Sequence, residues 1–183
     1  LVTSATSVHG AFWMEGGGCI FAENEAMRWL VSLTGLPEGA FGVFTSGGTE
    51  ANLSAMVAAR EAWREADPSR ATTRGLIITS AGAHSSVRAM AKVIDADVML
   101  IDTEGRLGSE MLAERISLLT PEERSRFFAV VATAGTTNAG IIDDLEGIGK
   151  ICRDLGVWFH VDAAYGGGAL AAPSVRHHFN GIE

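Results

Sequence analysis

The chain has 183 residues, 47% hydrophobic and 20% charged, with a formal net charge of −8. That length buries one sizeable core, and the composition carries no signature of disorder. The acidic balance argues against non-specific binding to nucleic acid or an anionic membrane, and no apolar run is long enough to span a bilayer. Cys19 and Cys152 stand apart from each other and from ligand-like histidines. They read as two buried free thiols of a cytoplasmic protein, not as a disulfide or a metal site. Leu1 is not a natural start, and the chain reads as a piece of a longer protein.

Residues 1–22 are rich in glycine, serine and aromatics, and read as an irregular segment that packs on the domain through Phe12 and Trp13. A helix over 23–34 is expected from the spacing of Ala26, Met27, Leu30 and Leu33, with Gly35 and Pro37 to end it. From there strands and helices alternate. Strands are expected over 42–45, 76–79, 98–101, 127–132 and 156–162, and helices over 50–66, 85–93, 109–119 and 143–155. Thr120-Pro121-Glu122-Glu123 has capping-box spacing with proline at the first helical position, so a further short helical turn opens there. Asp143 or Asp144 caps the last helix. Helices of ten to fifteen residues between strands imply right-handed βαβ units. The fold class is α/β: residues 23–183 form one three-layer domain, a mostly parallel sheet with helices on both faces.

Ligands of such sheets bind beyond the carboxyl ends of the strands. Four polar clusters lie just after those ends: 45–52, 83–86, 133–138 and Asp162 with the glycines 166–168 behind it. Ser46-Gly47-Gly48-Thr49 is small and hydroxylic and runs straight into a helix, where unpaired amides and the dipole suit a phosphate. An ordinary helix cap is the competing reading. No GxxxxGK[ST] and no GxGxxG occurs. A carboxylate at the end of a core strand needs a cation to face. His84 supplies a flat ring, or a donor, to the same rim. A phosphorylated, positively charged heteroaromatic ring fits the combination, and pyridoxal 5'-phosphate is such a ring. Asp162 would keep its pyridine nitrogen protonated. Adjacent His177 and His178 read as surface residues, and no metal site is expected.

The segments Thr-Ser-Gly-Gly-Thr-Glu-Ala-Asn-Leu (45–53), Ala-His-Ser-Ser-Val (83–87), Thr-Ala-Gly-Thr-Thr (133–137) and His-Val-Asp-Ala-Ala-Tyr (160–165) resemble, in order and spacing, the motifs of the group II pyridoxal-phosphate-dependent amino acid decarboxylases. The resemblance implies a partial fold-type-I large domain acting on a small-molecule amino acid, in a cytoplasmic homodimer. It implies that Gly48 and Thr49 bind the phosphate, with Ser46 and Gly47 shaping the loop. His84 would stack on the ring and meet the substrate carboxylate. Thr136 and Thr137 would lie near the ring oxygen or that carboxylate, Asp162 at the ring nitrogen and Ala164 on the face opposite His84. The family's Schiff-base lysine comes after the aspartate, whereas the two lysines here are Lys92 and Lys150, so this stretch alone is expected to be inactive. A carbon–carbon lyase of the same fold and a non-catalytic cofactor-binding relative are the alternatives.

Overall fold

Strands buried on both faces have no reason to alternate, and the runs Leu76-Ile77-Ile78 and Phe128-Ala129-Val130-Val131 are unbroken apolar stretches for that reason. They form the two central strands. The computed structural model describes residues 8–183. Its sheet has four strands, all parallel, in the order β2-β1-β3-β4: β1 Gly75–Ser80, β2 Ala96–Ile101, β3 Phe127–Thr133 and β4 Trp158–Asp162. The described helices are α1 Trp13–Thr34, α2 Gly48–Glu65, α3 Ser85–Val93, α4 Ser109–Ser117, α5 Pro121–Arg126 and α6 Leu145–Leu155.

The chain divides into two compact units, Leu1–Phe44 with Glu183, and Thr45–Ile182. In the larger unit α2 and α3 pack together on one face of the sheet. Met56 and Ala59 of α2 and Val87, Met90 and Ala91 of α3 share a core with Ile77, Ala129 and Val131. On the other face α4 lies against α6, and α6 covers β3 and β4. The register slips between Leu76 and Ile77, leaving Phe128 without a partner in β1. This bulged residue turns its ring onto Trp63, 5.5 Å between centroids. Gly75 makes room for it, since a Cβ there would stand 2.6 Å from the Phe128 ring.

Local signals end the elements where the chemistry requires. Thr120 and Glu123 close a reciprocal capping box on α5, behind Pro121. Asp144, not Asp143, caps α6 by accepting from the Gly147 amide at 3.2 Å. Gly156 ends that helix in the left-handed region at φ 66°. The Cys152 thiol lies in the buried stripe of α6, and burial pushes its pKa up to about 12.

Three expectations need correction. Cys152 is buried but Cys19 is exposed, so only one thiol belongs to a core. Residues 42–45 join no ladder, and Val43 and Phe44 are exposed, because no neighbouring strand among the described residues pairs with them. The segment over 1–22 is not irregular throughout. Helix α1 starts at Trp13 and runs through Gly16-Gly17-Gly18 despite their poor helix propensity. Gly16 is buried in α1, where a Cβ would meet the His9 carbonyl oxygen at 2.6 Å. Close packing of the preceding turn therefore favours glycine there. Residues 1–7 lie outside the described residues. Among the described residues no helix is long and apolar enough to cross a membrane.

Candidate active site

Because all four strands run the same way, their carboxyl ends share one rim. Helices α2 and α3 start at that rim. A cavity of about 240 Å³ opens among Gly48, Thr49 and Asn52 of α2, His84 and Ser86 at the start of α3, Thr133 at the end of β3 with Gly135, Thr136 and Thr137 beyond it, and Asp162 at the end of β4 with Ala164 and Tyr165 beyond it. Segments 48–52, 84–86, 133–137 and 162–165 thus meet in one place.

One wall is the amino end of α2. Its N-cap is Gly47, which offers no side-chain acceptor, so the first amides of the helix are left for a ligand. Gly48 allows the backbone a close approach, for a Cβ there would stand 3.0 Å from Cβ of Ala164. Ser46 and Gly47 do not line the cavity. The amide and hydroxyl of Ser46 instead donate to the Glu50 carboxylate, and those bonds hold Glu50 below the usual carboxylate range. The loops after β3 and β4 touch at Gly135, φ +104°, where a Cβ would come within 2.7 Å of the Gly166 Cα. Left-handed backbone and close approach both require glycine at that position.

The other wall carries the carboxylate. Asp162 is buried, with 8% of its surface exposed. Its Oδ1 accepts from the Ala164 amide at 3.1 Å and its Oδ2 from Nδ2 of Asn52 at 3.0 Å. The same Nδ2 lies 3.0 Å from Oγ of Ser86, and Ser86 Oγ lies 2.9 Å from Nδ1 of His84. His160, two residues before Asp162 on the same side of β4, places Nε2 at 2.8 Å from Oδ1 of Asn52. Burial pushes the His160 pKa down, against the opposing pull of Asp162, and keeps that imidazole neutral. Thr136 Oγ1 accepts from the Ile141 amide at 3.1 Å, which leaves its hydrogen for another acceptor. Thr133 Oγ1 is buried at the cavity with no hydrogen-bond partner among the described residues.

A molecule with an anionic group for the α2 amides, a flat ring and a protonated nitrogen for Asp162 matches these walls in kind. Of the residues singled out from the sequence, Gly48, Thr49, His84, Thr136, Thr137, Asp162 and Ala164 line the cavity, and Ser46 and Gly47 do not. Neither lysine lines it, and Lys92 and Lys150 are both exposed. Sequence reasoning placed Asn52, Ser86, Thr133 and His160 in the clusters and motifs at the rim but gave none of them a role. Asn52 did leave a signal. It lies one turn beyond Gly48 and one turn before buried Met56, so it is a polar residue on the inner stripe of α2. His177 and His178 are exposed with rings 3.9 Å apart, and among the described residues no three His, Cys, Asp or Glu are grouped to hold a metal ion.

The family profile described as "Pyridoxal-dependent decarboxylase conserved domain" matches residues 1–183. The chain is 37% identical over 188 residues to an L-2,4-diaminobutyrate decarboxylase of Rhizobium meliloti (strain 1021), covering 100% of this chain and 37% of that protein. It is 31% identical over 186 residues to an aromatic-L-amino-acid decarboxylase of Bacillus atrophaeus, covering 100% of this chain and 38% of that one. Among solved structures, mouse CSAD superposes with a TM-score of 0.87 at 31% identity, over 99% of this chain and 40% of that one. Oryza sativa TDC with PLP superposes with a TM-score of 0.83 at 26% identity, over 99% and 42%. The chain spans about two fifths of the length of the relatives it matches. With its whole length matched by the family profile and its fold by solved decarboxylase structures, the chain belongs to the pyridoxal-dependent decarboxylase family.

Proposed function

We propose that these 183 residues form the cofactor-binding part of a pyridoxal-phosphate-dependent decarboxylase that converts an L-amino acid to its amine and carbon dioxide. The observation that carries this reading is one cavity holding both the uncapped amino end of α2 and the buried carboxylate of Asp162, with the His84 imidazole in its wall. Gly48 and Thr49 would hold the phosphate through helix amides. Asp162 would hold a proton on the pyridine nitrogen, since an adjacent negative charge favours the protonated form. His84 would cover one ring face and donate to the substrate carboxylate, with Ala164 on the opposite face. Thr136 and Thr137 would supply hydroxyls near the ring oxygen. When bound, the cofactor serves as the electron sink for the pair left on Cα as carbon dioxide departs.

Lys92 and Lys150 lie away from the cavity, so on this reading the lysine that anchors the cofactor aldehyde is supplied outside these residues, and the stretch alone does not turn over. The intact enzyme is a cytoplasmic homodimer on the same reading, which sedimentation and cell fractionation check. The lyase alternative is not favoured, since the two relatives named above are both decarboxylases.

The test is a panel of L-amino acids, including 2,4-diaminobutyrate, aromatic residues and cysteine sulfinate, offered to the full-length protein with added cofactor. Carbon dioxide and amine in equal amounts are expected from one of them. Cleavage to an aldehyde without carbon dioxide would overturn the proposal.

A further inference from the structure

Asn52 is the most heavily committed side chain of the site. Only 4% of its surface is exposed. Its Nδ2 meets Asp162 Oδ2 and Ser86 Oγ, each at 3.0 Å, and its Oδ1 meets His160 Nε2 at 2.8 Å. The direction of the amide is fixed, because an ionised carboxylate only accepts and must face the amide hydrogens. His160 Nε2 must then carry a hydrogen. Ser86 Oγ, having accepted from Asn52, sends its single hydrogen to His84 Nδ1 at 2.9 Å. The Ser86 backbone amide donates to the same Nδ1 at 3.2 Å. A nitrogen that accepts twice bears no hydrogen, so the His84 proton sits on Nε2.

We propose that Asn52 is a positioning residue that ties the Asp162 carboxylate to His84 through Ser86, holding His84 as the Nε2–H tautomer with that donor left for the molecule in the cavity. The consequence is chemical as well as geometric. A substrate carboxylate needs a donor, and Nε2–H is what the imidazole has to offer once Nδ1 is taken. The Asp162 side of the cavity and the His84 side are thereby set by one amide. His160, neutral in its buried place, fixes the far end of that amide. The link to catalysis rests on the reading that Asp162 and His84 face the cofactor, but the hydrogen-bond relay does not.

The experiment therefore begins without cofactor. Full-length protein carrying 15N-labelled histidine is measured by long-range proton–nitrogen correlation NMR. His84 is expected to show a protonated Nε2 and a hydrogen-bonded, unprotonated Nδ1. A protonated Nδ1 would overturn the proposal. Ser86→Ala, which deletes one oxygen and keeps the backbone donor, moves the Nδ1 resonance toward that of an unbonded nitrogen. Asn52→Ala moves it in the same direction, and the double variant moves it no further than Ser86→Ala does. Additive shifts, or no shift in folded Ser86→Ala, would sink the relay even if Asn52→Ala failed to fold. With cofactor added, Asn52→Ala weakens its retention about tenfold, the size of one hydrogen bond to a charged group. Unchanged retention beside an altered His84 resonance would refute the assignment of Asp162 to the cofactor and leave the relay standing.

Discussion

Two aspartates are buried at the carboxyl rim of the same sheet, and they are held in different ways. Asp143 is 3% exposed and spends both oxygens on backbone amides, Leu107 and Thr133, each at 2.7 Å. Burial raises its pKa against the pull of those two bonds. It clasps the chain before α4 to the end of β3. Asp162 spends one oxygen on a backbone amide and the other on a side chain, Asn52, and it lines the cavity. Each carboxylate accepts one hydrogen per oxygen and keeps acceptor capacity beyond that. What separates them is that Asp143 is held by main chain alone, whereas Asp162 is held in part by a side chain and lines the rim cavity, where the proposed function puts that spare capacity to use.

The strongest way to break this contrast is to neutralise each in turn. Asp162→Asn in the full-length enzyme is expected to cut decarboxylation about a thousandfold, the equivalent of about three pKa units of lost ring-nitrogen stabilisation. Its thermal midpoint should fall only modestly, by the loss of one hydrogen bond to a charged group worth about 1.5 kcal/mol, because the carboxamide keeps one acceptor oxygen for the two donors, the Ala164 amide and Asn52 Nδ2. Near-normal turnover would end the electrostatic account of the site. Asp143→Ala should do the reverse. Two buried amides lose their acceptor, at a cost of about 3 kcal/mol, readable as a shift in urea midpoint. An unchanged midpoint would mean that the clasp is not structural.

Much of this was readable in the sequence because parallel strands buried on both faces write themselves as apolar runs, and because the residues just after each run must lie on the rim. Thr133-Ala134-Gly135-Thr136-Thr137 and His160-Val161-Asp162 could be assigned that way. What a strand lacks in partners is not written in its own residues, so Val43-Phe44 read as a strand that the fold does not form. Glycines in α1 misled for a related reason, since their propensity is local and the packing at Gly16 is not. The relay was illegible for a stronger reason. Asn52 meets Ser86 across 34 residues and His160 across 108, and nothing local to any of the three announces the others.

The pH dependence of stability gives the next, smaller test, and it sets the site's His160 apart from the Asp143 clasp by sign. His160 is held neutral by burial, with its native pKa below the ordinary 6.5. As pH falls from 6.5 toward that lower value, the unfolded chain takes up a proton that the native state refuses. Stability is therefore lost on the acid side, by up to about 1.4 kcal/mol per pH unit for a single group. His160→Gln, which keeps a donor for Asn52, should flatten that slope. For Asp143 the sign is opposite. Its native pKa lies above 3.8, so the native state binds the proton more tightly and this group's contribution declines as pH rises from 3.8 through the native value. An acid limb that survives His160→Gln unchanged would assign the titration elsewhere.

Thr133 stands between the two aspartates and sharpens the contrast at the smallest scale. Its amide belongs to the Asp143 clasp, while it pairs with Asp162 in the β3–β4 register. Its hydroxyl is buried at the cavity and bonds to nothing among the described residues. A buried hydroxyl without a partner costs stability, so a purely structural residue here would be better as valine. Thr133→Val keeps the shape and removes the oxygen. The cofactor-free full-length protein should be as stable as the parent or more so, by up to about 1 kcal/mol. Cofactor retention should fall about fivefold, the worth of one neutral hydrogen bond. A variant that gains stability and loses no affinity would place the hydroxyl with the Asp143 clasp, and the boundary between scaffold and site would then run through the cavity wall instead of behind it.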